Sequence, residues 1–372
     1  MRDTPGGMSA LKVAVGIGGW DSGSERDWPE VVRFAVEAER LGVDFCWSAE
    51  AWGQDSVAPL AYVAARTDRM RLGTGIMQIS TRVPSMAAMT AMTMAAISGD
   101  RFALGLGVSG PQVVEGLHGV AFGQPLGRLT EYLDILDLAF AGEPLAYSGS
   151  HYVLPRPGGE GKVLRLAQRA ERKIPVYLAV LAPRGLELVG ARADGWLAST
   201  FIPEASAAFT EPIRRGAQQA GRDVADIDLQ AGGALKFGTD IGPLLDEVRR
   251  SLAFRLGAMG SRRHNFYNLA CQRAGFEAEA LAVQELWLAG KRAEAAEAVP
   301  DAMARLSAFV GTEDMVRDRL AAFAAAGITT VRVEPDGNST DEKLATLARF
   351  MDLVREQRNA EDGSEGEGGT NA

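Results

Sequence analysis

A carboxylate and an aromatic ring lie two residues apart in the segment Ser48–Asp55, which reads Ser-Ala-Glu-Ala-Trp-Gly-Gln-Asp. Glu50 could orient a bound ring or exchange protons with it, and Trp52 could stack on the same ring. Alternatively, Glu50 pairs with a neighbouring arginine while Trp52 packs against the rest of the fold. We take Glu50 and Trp52 as the candidate catalytic residues and keep this alternative open.

A glycine-rich segment, Gly105–Gln112, could bind a phosphate or a ring carbonyl through its backbone N–H groups and Ser109. Its letters match the G-x-G-x-x-G pattern of dinucleotide-binding folds. That motif must open an unbroken helix, whereas glycines at positions 116, 119 and 123 interrupt the sequence that follows. The segment therefore predicts a ligand-binding loop without predicting a dinucleotide-binding fold.

A second pair of glycines, Gly73 and Gly75, lies within an apolar stretch. Glycine weakens a strand, so the pair indicates an unusual backbone conformation or the close approach of a ligand. A β-bulge is the alternative interpretation.

Residues that could bind an anion occur at three further places. Pro183 begins a predicted helix whose first N–H groups could bind a phosphate, although helix initiation alone also explains this proline. Lys236 lies in an apolar stretch and could form a Schiff base, but a salt-bridged or anion-binding lysine is the preferred interpretation. Arg262 and Arg263 could hold the anionic tail of a ligand or lie in a solvated loop.

The composition restricts the class of partner. The 372 residues carry a formal charge of −9, from 39 Lys and Arg against 48 Asp and Glu, which repels nucleic acids and anionic lipid surfaces. The 3 histidines form no metal-binding motif, and the 2 cysteines, Cys46 and Cys271, provide no disulfide framework. We find no leader-like or membrane-spanning apolar run, and therefore expect a cytoplasmic protein that binds a small molecule and no metal.

Apolar, β-rich runs alternate with amphipathic helical stretches along the chain, a pattern typical of parallel βα units. The predicted strands are Leu11–Ile17, Phe45–Ala49, Met70–Ile76, Phe102–Leu106, Pro175–Val180, Trp196–Ser199, Leu229–Phe237 and Thr329–Val333. Such units predict an α/β fold, a single (β/α)₈ TIM barrel, whose active site lies at the carboxyl ends of the strands. An open doubly wound sheet with a second domain is the alternative.

The predicted domain organisation has three parts. Residues 1–10 form a flexible N-terminus, residues 11–358 a single barrel domain, and residues 359–372 a disordered acidic tail. Gly142–Lys173, with a hairpin around Tyr147–Leu154, and Gly260–Val299, a run of short helices, interrupt the βα pattern. We interpret both stretches as insertions in βα loops.

The strand-end motifs together resemble the bacterial luciferase-like family of flavin and deazaflavin enzymes, and within it the branch that uses coenzyme F420. The similarity runs from about Leu11 to Val354. The matching stretches are Ala49–Gly53 with Asp55, Arg71–Ile76 followed by Thr81, Arg82 and Pro84, Gly99–Gly116, and Ala193–Trp196.

The resemblance implies a TIM barrel with the cofactor at the carboxyl ends of its strands. It implies a non-prolyl cis peptide bond at Gly75-Ile76, ring and ribityl contacts from the segments after strands three and four, and a phosphate site at the turn after strand five. The basic residues would hold the oligoglutamyl tail of F420, which FMN lacks. The candidate cofactor-binding residues are Gly75, Ile76, Gln78, Gly107, Ser109, Gly110, Gln112, Val113, Ala179, Val180, Leu181, Ala182, Pro183, Arg184, Ser199, Lys236, Arg262 and Arg263.

The implied function is that of an F420-dependent oxidoreductase, which transfers a hydride between C5 of the deazaflavin and a small organic substrate. Many relatives have a histidine after the acidic residue of strand two, where this chain has Ala51. A first alternative is an FMN-dependent monooxygenase of the same fold. A second is a carrier or sensor that binds F420 or flavin without catalysis. The resemblance also implies a homodimer.

Overall fold

The structure is a computed structural model that describes residues 10–18, 27–261 and 264–367, with side chains as far as Asn359. Its strands are β1 (Lys12–Ile17), β2 (Phe45–Ser48), β3 (Arg71–Thr74), β4 (Met77–Gln78), β5 (Phe102–Gly107), β6 (Tyr147–Ser148), β7 (Val153–Leu154), β8 (Val176–Ala179), β9 (Gly195–Leu197), β10 (Asp228–Phe237), β11 (Phe309–Gly311) and β12 (Thr330–Pro335). Its α-helices are α1 (Trp28–Leu41), α2 (Val57–Ala64), α3 (Pro84–Ser98), α4 (Pro125–Ala141), α5 (Pro183–Arg192), α6 (Ala207–Gln219), α7 (Ile241–Ala258), α8 (Phe266–Arg273), α9 (Glu277–Leu288), α10 (Arg292–Glu297), α11 (Asp301–Leu306), α12 (Glu313–Ala325) and α13 (Thr340–Glu367).

Parallel strands close into a barrel in the order β1, β2, β3, β5, β8, β9, β10 and β12, and β12 pairs with β1 through the register Lys12 to Thr330. The predicted TIM barrel is therefore confirmed, and the open doubly wound sheet is wrong. We call the end of the barrel at which these strands have their carboxyl ends the mouth. Active sites of such barrels are built there.

The helix α1 shows why local sequence was sufficient to predict its bounds. The side chain of Asp27 accepts a hydrogen bond from the N–H of Glu30 at 3.3 Å, and proline occupies the first turn. Val32, Ala35 and Ala38 recur at helical spacing and are buried. Gly42 ends the helix with a φ of 98°, a left-handed conformation that glycine adopts readily.

Aromatic side chains fill the barrel interior. Trp47 stacks on Phe45 with ring centroids 5.3 Å apart, Tyr177 contacts both rings edge-on, and the Trp47 Nε1 donates to Gln230 Oε1 at 2.9 Å. A Cβ on Gly73 would lie 2.2 Å from the Trp47 ring. Gly73 thus makes room for a tryptophan of the neighbouring strand. Neither of the two interpretations of this glycine, close approach of a ligand or a β-bulge, had identified this role.

Two insertions extend the barrel as predicted. The strands β6 and β7 form the hairpin between Tyr147 and Leu154, and α8, α9 and α10 are the short helices of the second insertion. The helix α7 joins these short helices in a separate small core, in which Leu245, Leu252 and Val283 are buried. The short strand β11, which the sequence analysis missed, pairs with the end of β10.

The chain end differs from its prediction in extent. The last helix continues to Glu367, so residues 359–367 are helical where the beginning of a disordered tail was expected. Extending an existing helix costs far less than starting one, which allows a Glu- and Ala-containing segment to continue it. Residues 1–9 and 368–372 lie outside the described part of the chain. Among the described helices, none has the length and apolar character needed to cross a membrane.

Candidate active site

The third strand of the barrel is interrupted at the mouth. The strand β3 ends at Thr74, the peptide bond between Gly75 and Ile76 is cis, and the chain resumes as β4, whose Gln78 pairs with Gly107 of β5. The cis bond that the resemblance implied is confirmed. A Cβ on Gly107 would lie 2.8 Å from the side chain of Ile76, so these two candidate residues pack closely.

Both carboxylate oxygens of Glu50 accept hydrogen bonds from the protein. Oε1 accepts from the backbone N–H of Gln78 at 2.9 Å, and Oε2 from the hydroxyl of Ser56 at 2.9 Å and from Arg82 at 3.2 Å. Such a carboxylate is held in place between the β2 loop and β4. The geometry favours the alternative in which Glu50 pairs with an arginine, here Arg82.

Trp52 lies at the rim of the mouth, where its side chain is 44% exposed. Its ring meets Phe254 of α7 edge-on, with centroids 6.4 Å apart, and Phe254 in turn meets Trp287 at 5.7 Å. The loop after β2 is therefore joined to the second insertion by aromatic contacts. This is the packing alternative for Trp52, although its exposed face could still contact a ligand.

Several buried polar atoms near the mouth have no hydrogen-bond partner within the described residues. They are the hydroxyl oxygens of Ser48, Ser80 and Thr200 and the amide oxygen of Gln78. Each lies at or just beyond the carboxyl end of a barrel strand. Buried polar atoms are almost always paired in folded proteins, so a group of unpaired ones at the mouth indicates a bound partner.

The sequence analysis had named Gln78 of these four residues as a binding candidate. Ser48 is the last residue of β2, and its position could have marked it. Thr200 has a φ of 62°, in the left-handed region that residues other than glycine rarely adopt. No sequence pattern shows that conformation, so Thr200 could be found only in the structure.

The segment after β5 forms a loop with one short π-helix, Gln112–Leu117, and no longer helix until α4 begins. Ser109 adopts a φ of 58°, and the carbonyl of Gly110 accepts hydrogen bonds from Val113 and Val114 at 3.1 and 2.9 Å. The unbroken helix of a dinucleotide motif is thus absent from this described segment, as predicted. The candidates of this loop follow directly after Gly107 at the mouth.

Two backbone carbonyls of the turn after β8 accept hydrogen bonds from side chains, which hold the turn in place. The carbonyl of Val180 accepts from the indole N–H of Trp196 at 2.9 Å, and that of Leu181 accepts from Arg273 at 2.7 Å. The helix α5 begins at Pro183 after Ala182, so its first N–H groups lie at the mouth, next to the exposed Arg184. Ser199 follows the end of β9, one residue before Thr200.

Lys236 is buried and carries two ion pairs. Its Nζ donates to Glu247 and, at 2.8 Å, to Asp336. Burial alone would lower the pKa of Lys236, but the hydrogen bonds from this lysine to Asp336 and Glu247 outweigh it and hold the pKa above its usual value. A protonated, salt-bridged lysine is a poor Schiff-base nucleophile and already has its counter-ions.

The remaining basic candidates, Arg262 and Arg263, lie outside the described residues. Lys236 therefore gives no reason to choose F420 over FMN, in contrast to its use in the sequence analysis.

A model of the family described as luciferase-like monooxygenase matches residues 10–330, most of the chain. The chain belongs to the luciferase-like monooxygenase family. A Mycobacterium tuberculosis protein, provisionally named a coenzyme F420-dependent oxidoreductase, is 34% identical over 91% of this chain and 99% of its own length. The predicted family and the prediction of an enzyme are confirmed.

Two solved structures share the fold. The coenzyme F420-dependent tetrahydromethanopterin reductase of Methanopyrus kandleri has a TM-score of 0.75 and 21% identity, and covers 91% of this chain and 98% of its own. An FMN-bound Baeyer-Villiger monooxygenase component from Pseudomonas putida has a TM-score of 0.65 and 16% identity over 93% of this chain and 98% of its own. The same fold thus occurs in a protein named for coenzyme F420 and in one solved with FMN.

Proposed function

We propose that this chain is an F420-dependent oxidoreductase that transfers a hydride between the cofactor and a small organic substrate. The observation that carries the choice of cofactor is the similarity, along nearly the whole chain, to the M. tuberculosis relative named for F420. When bound, F420 donates or accepts a hydride at C5 of its deazaflavin ring. FMN is the competing cofactor because a solved structure of the same fold contains it.

The unpaired polar atoms at the mouth fit the ring of such a cofactor. Its pyrimidine edge carries N–H donors and carbonyl acceptors, which would satisfy the Ser48 hydroxyl and the amide oxygen of Gln78. Gly75, Ile76 and Gly107 would form an apolar surface behind the ring, since none of them brings a polar side chain to it. These residues would bind and orient the ring.

The anionic part of the cofactor would lie at the α5 end of the mouth. The first N–H groups of α5, with Arg184 beside them, would bind the phosphate. Ser109, Gly110, Gln112 and Val113 would contact the ribityl chain, as the resemblance implies. Arg262 and Arg263 remain the candidates for the oligoglutamyl tail.

We propose Glu50 as a positioning residue. Its hydrogen bonds with Gln78 and Ser56 join the β2 loop to β4, so its loss would displace the amide that contacts the ring. In each of these hydrogen bonds an oxygen of the Glu50 side chain is the acceptor. Trp52 would cover the substrate from the rim.

Binding decides between the cofactors. Purified protein is titrated with F420 and, separately, with FMN, and cofactor fluorescence is followed. We expect F420 to bind in the micromolar range and FMN to bind more weakly. Absence of F420 binding would contradict the proposal, tight FMN binding would favour the monooxygenase, and F420 binding without turnover of ketones, alcohols and enones would favour a carrier.

Oligomeric state and localisation are two further proposals, the first of which depends on the family resemblance. We propose a homodimer, in which exposed apolar side chains of α3, Met86, Met89 and Ile97, would be covered. Light scattering during size-exclusion chromatography measures its mass. A cytoplasmic localisation, which we expect from the composition, is also a proposal.

A further inference from the structure

The barrel sheet carries one extra residue at the mouth, between β3 and β4. The strand β3 pairs with β5 as far as Gly73, which lies opposite Ala103, and β4 resumes this pairing at Met77, opposite Leu106. Three residues separate the two pairs on this strand, whereas two separate them on β5. Such an extra residue makes a β-bulge, through which the ladder of backbone hydrogen bonds cannot run unbroken. We call residues 74–76 the bulge.

The side chain of Thr74 takes the place of the interrupted ladder. Its hydroxyl donates to the carbonyl of Gly105 at 2.8 Å and accepts from the N–H of the same residue at 3.0 Å. The N–H of Leu104 donates to Pro175 on the other side of β5, so the backbone groups of Gly105 face β3. One hydroxyl thus pairs with both backbone groups that Gly105 presents to the interrupted strand.

The carbonyl of Thr74 has turned away from the ladder. Its oxygen lies 1.9 Å from the position that a Cβ on Gly105 would take, and a side-chain carbon of Leu197 lies 3.1 Å from the same position. Because Leu197 belongs to the core inside the barrel, this carbonyl is directed to the interior. Thr74 is fully buried, so loss of its hydroxyl would leave two buried backbone groups without their partner.

The bulge is also attached to the opposite side, where β2 ends. The N–H of Gly75 donates to the carbonyl of Ser48 at 2.7 Å, and the carbonyl of Ile76 accepts from the N–H of Glu50 at 3.3 Å. The side chain of Ile76 packs closely against Gly107 of β5. The bulge is therefore held between β2 and β5, and Thr74 provides its hydrogen bonds to β5.

We propose that Thr74 is a positioning residue for the cofactor ring, and that its hydroxyl holds the bulge where Gly75 and Ile76 contact that ring. The inference rests on the proposed function, which assigns the surface behind the ring to Gly75, Ile76 and Gly107. Thr74 acts through the bulge rather than by touching the ring, because its hydroxyl is paired with Gly105 and its side chain is buried. Without the hydroxyl, the bulge shifts relative to β5 and to the ring.

Thr74→Val and Thr74→Ser test the proposal, with F420 as the probe. Valine keeps the branched shape of threonine but lacks the hydroxyl, whereas serine keeps the hydroxyl. We expect Thr74→Val to weaken F420 binding about ten-fold and to change the induced circular dichroism of the bound ring, which reports how the ring lies against the protein. Thr74→Ser should retain the affinity within about three-fold, together with the circular-dichroism spectrum of the unmodified protein.

Thr330→Val is the matched control. Thr330 is fully buried like Thr74, but its hydroxyl donates to Asp228 at 2.7 Å at the amino end of the barrel. The same chemical change there should lower the melting temperature, change F420 affinity by less than about two-fold and leave the circular dichroism unchanged. If Thr74→Val does not fold, Thr74→Ala is compared with Thr74→Ser, since these two variants differ by one hydroxyl.

The outcomes separate a positioning role from a role in stability alone. A lower melting temperature of Thr74→Val, with the F420 affinity and circular dichroism of the unmodified protein, would overturn the proposal. Equal losses of affinity in Thr74→Ser and Thr74→Val would also overturn it, because the hydroxyl would not be responsible.

The same titrations distinguish this proposal from the proposed function. If the unmodified protein binds FMN and not F420, the proposed cofactor is wrong, and titration of the same variants with FMN, which has a similar tricyclic ring, decides the role of Thr74. Absence of binding by both cofactors would overturn both proposals. Binding of F420 with equal affinity by the unmodified protein and by Thr74→Val would overturn the role of Thr74 alone.

Discussion

The two ends of the barrel differ in whether their buried polar groups have hydrogen-bond partners among the described residues. At the amino end, Arg101 donates five hydrogen bonds, to carbonyls of Ala64, Thr67, Met70 and Ser98 and to a threonine hydroxyl, at 2.7–3.1 Å. The carboxylate of Glu39 accepts from three consecutive backbone N–H groups, beginning at Asp68. Each of these groups has its partners within the chain.

At the mouth, the hydroxyls of Ser48 and Thr200 and the amide oxygen of Gln78 are buried without such partners in the described residues. Among the described residues there, Arg332 donates to the carbonyl of Ala198, and Arg255 pairs with the exposed Glu334 at 3.8 Å. The comparison separates stability from function: the closed network at the amino end holds the barrel together, whereas we propose that ligands complete the incomplete one at the mouth. Substitutions at the two ends should therefore change different measured quantities.

The largest expected effect is on stability at the amino end. Arg101→Met should lower the free energy of unfolding by about 3 kcal/mol or more, because several backbone carbonyls lose their donor. Urea denaturation measures it, with Arg317→Met as a surface control expected to change the value much less. Equal losses of unfolding free energy in the two variants would contradict the distinction between the two ends of the barrel.

Next in size is a change in cofactor affinity at the mouth. Gly107→Ala should weaken F420 binding about ten-fold, because the added Cβ forces Ile76 to move into the space that we assign to the ring. Fluorescence titration measures the affinity and thermal unfolding the stability. A lower melting temperature with unchanged affinity would show that Gly107 serves packing alone.

A smaller effect of opposite sign is expected for Ser48→Ala. Removing a buried hydroxyl that has no partner should leave the stability of the ligand-free protein unchanged or raise it by about 1 kcal/mol, while F420 affinity falls. Urea denaturation with and without F420 separates the two effects. A clear loss of stability without F420 would mean that the hydroxyl is satisfied within the protein.

The smallest effect is a pH dependence. Burial would raise the pKa of Glu39, but the hydrogen bonds from Met70, Arg69 and Asp68 outweigh it and hold the pKa below its usual value of 4.5. A lowered pKa gives stability that is present above pH 4.5 and lost as the pH falls through the folded value. Glu39→Gln should therefore reduce the acid dependence of unfolding, and an unchanged profile would contradict this assignment.

The elements that sequence periodicity predicted were found at nearly the same bounds. The bounds of α1 agree at both ends, because Asp27, Gly42 and the apolar spacing between them are all local features. The strand predicted at Met70–Ile76 is shorter, Arg71–Thr74, since the cis bond after Gly75 interrupts it. Apolar letters continue through that interruption, so their pattern could not show it.

The sequence analysis placed the candidate residues at the carboxyl ends of the predicted strands, and the structure brings many of these residues together at the mouth. The sequence could not show which polar groups pair with each other. Glu50 has Arg82 as its partner, 32 residues along the chain, and Lys236 has Asp336, 100 residues along. Gly73 is required by Trp47 on another strand.

The sequence by itself predicted the βα pattern and carried the motifs of the family resemblance, because helix caps, alternation and strand-end motifs depend on neighbouring residues. Closure of the strands into a barrel, rather than an open sheet, was decided by the structure. Only the tertiary structure decided which charges are neutralised and which remain unpaired. Barrel closure sets those distances by joining strands that are far apart in sequence, as β1 and β12 are. The pairing of Lys236 with Asp336 follows from that closure.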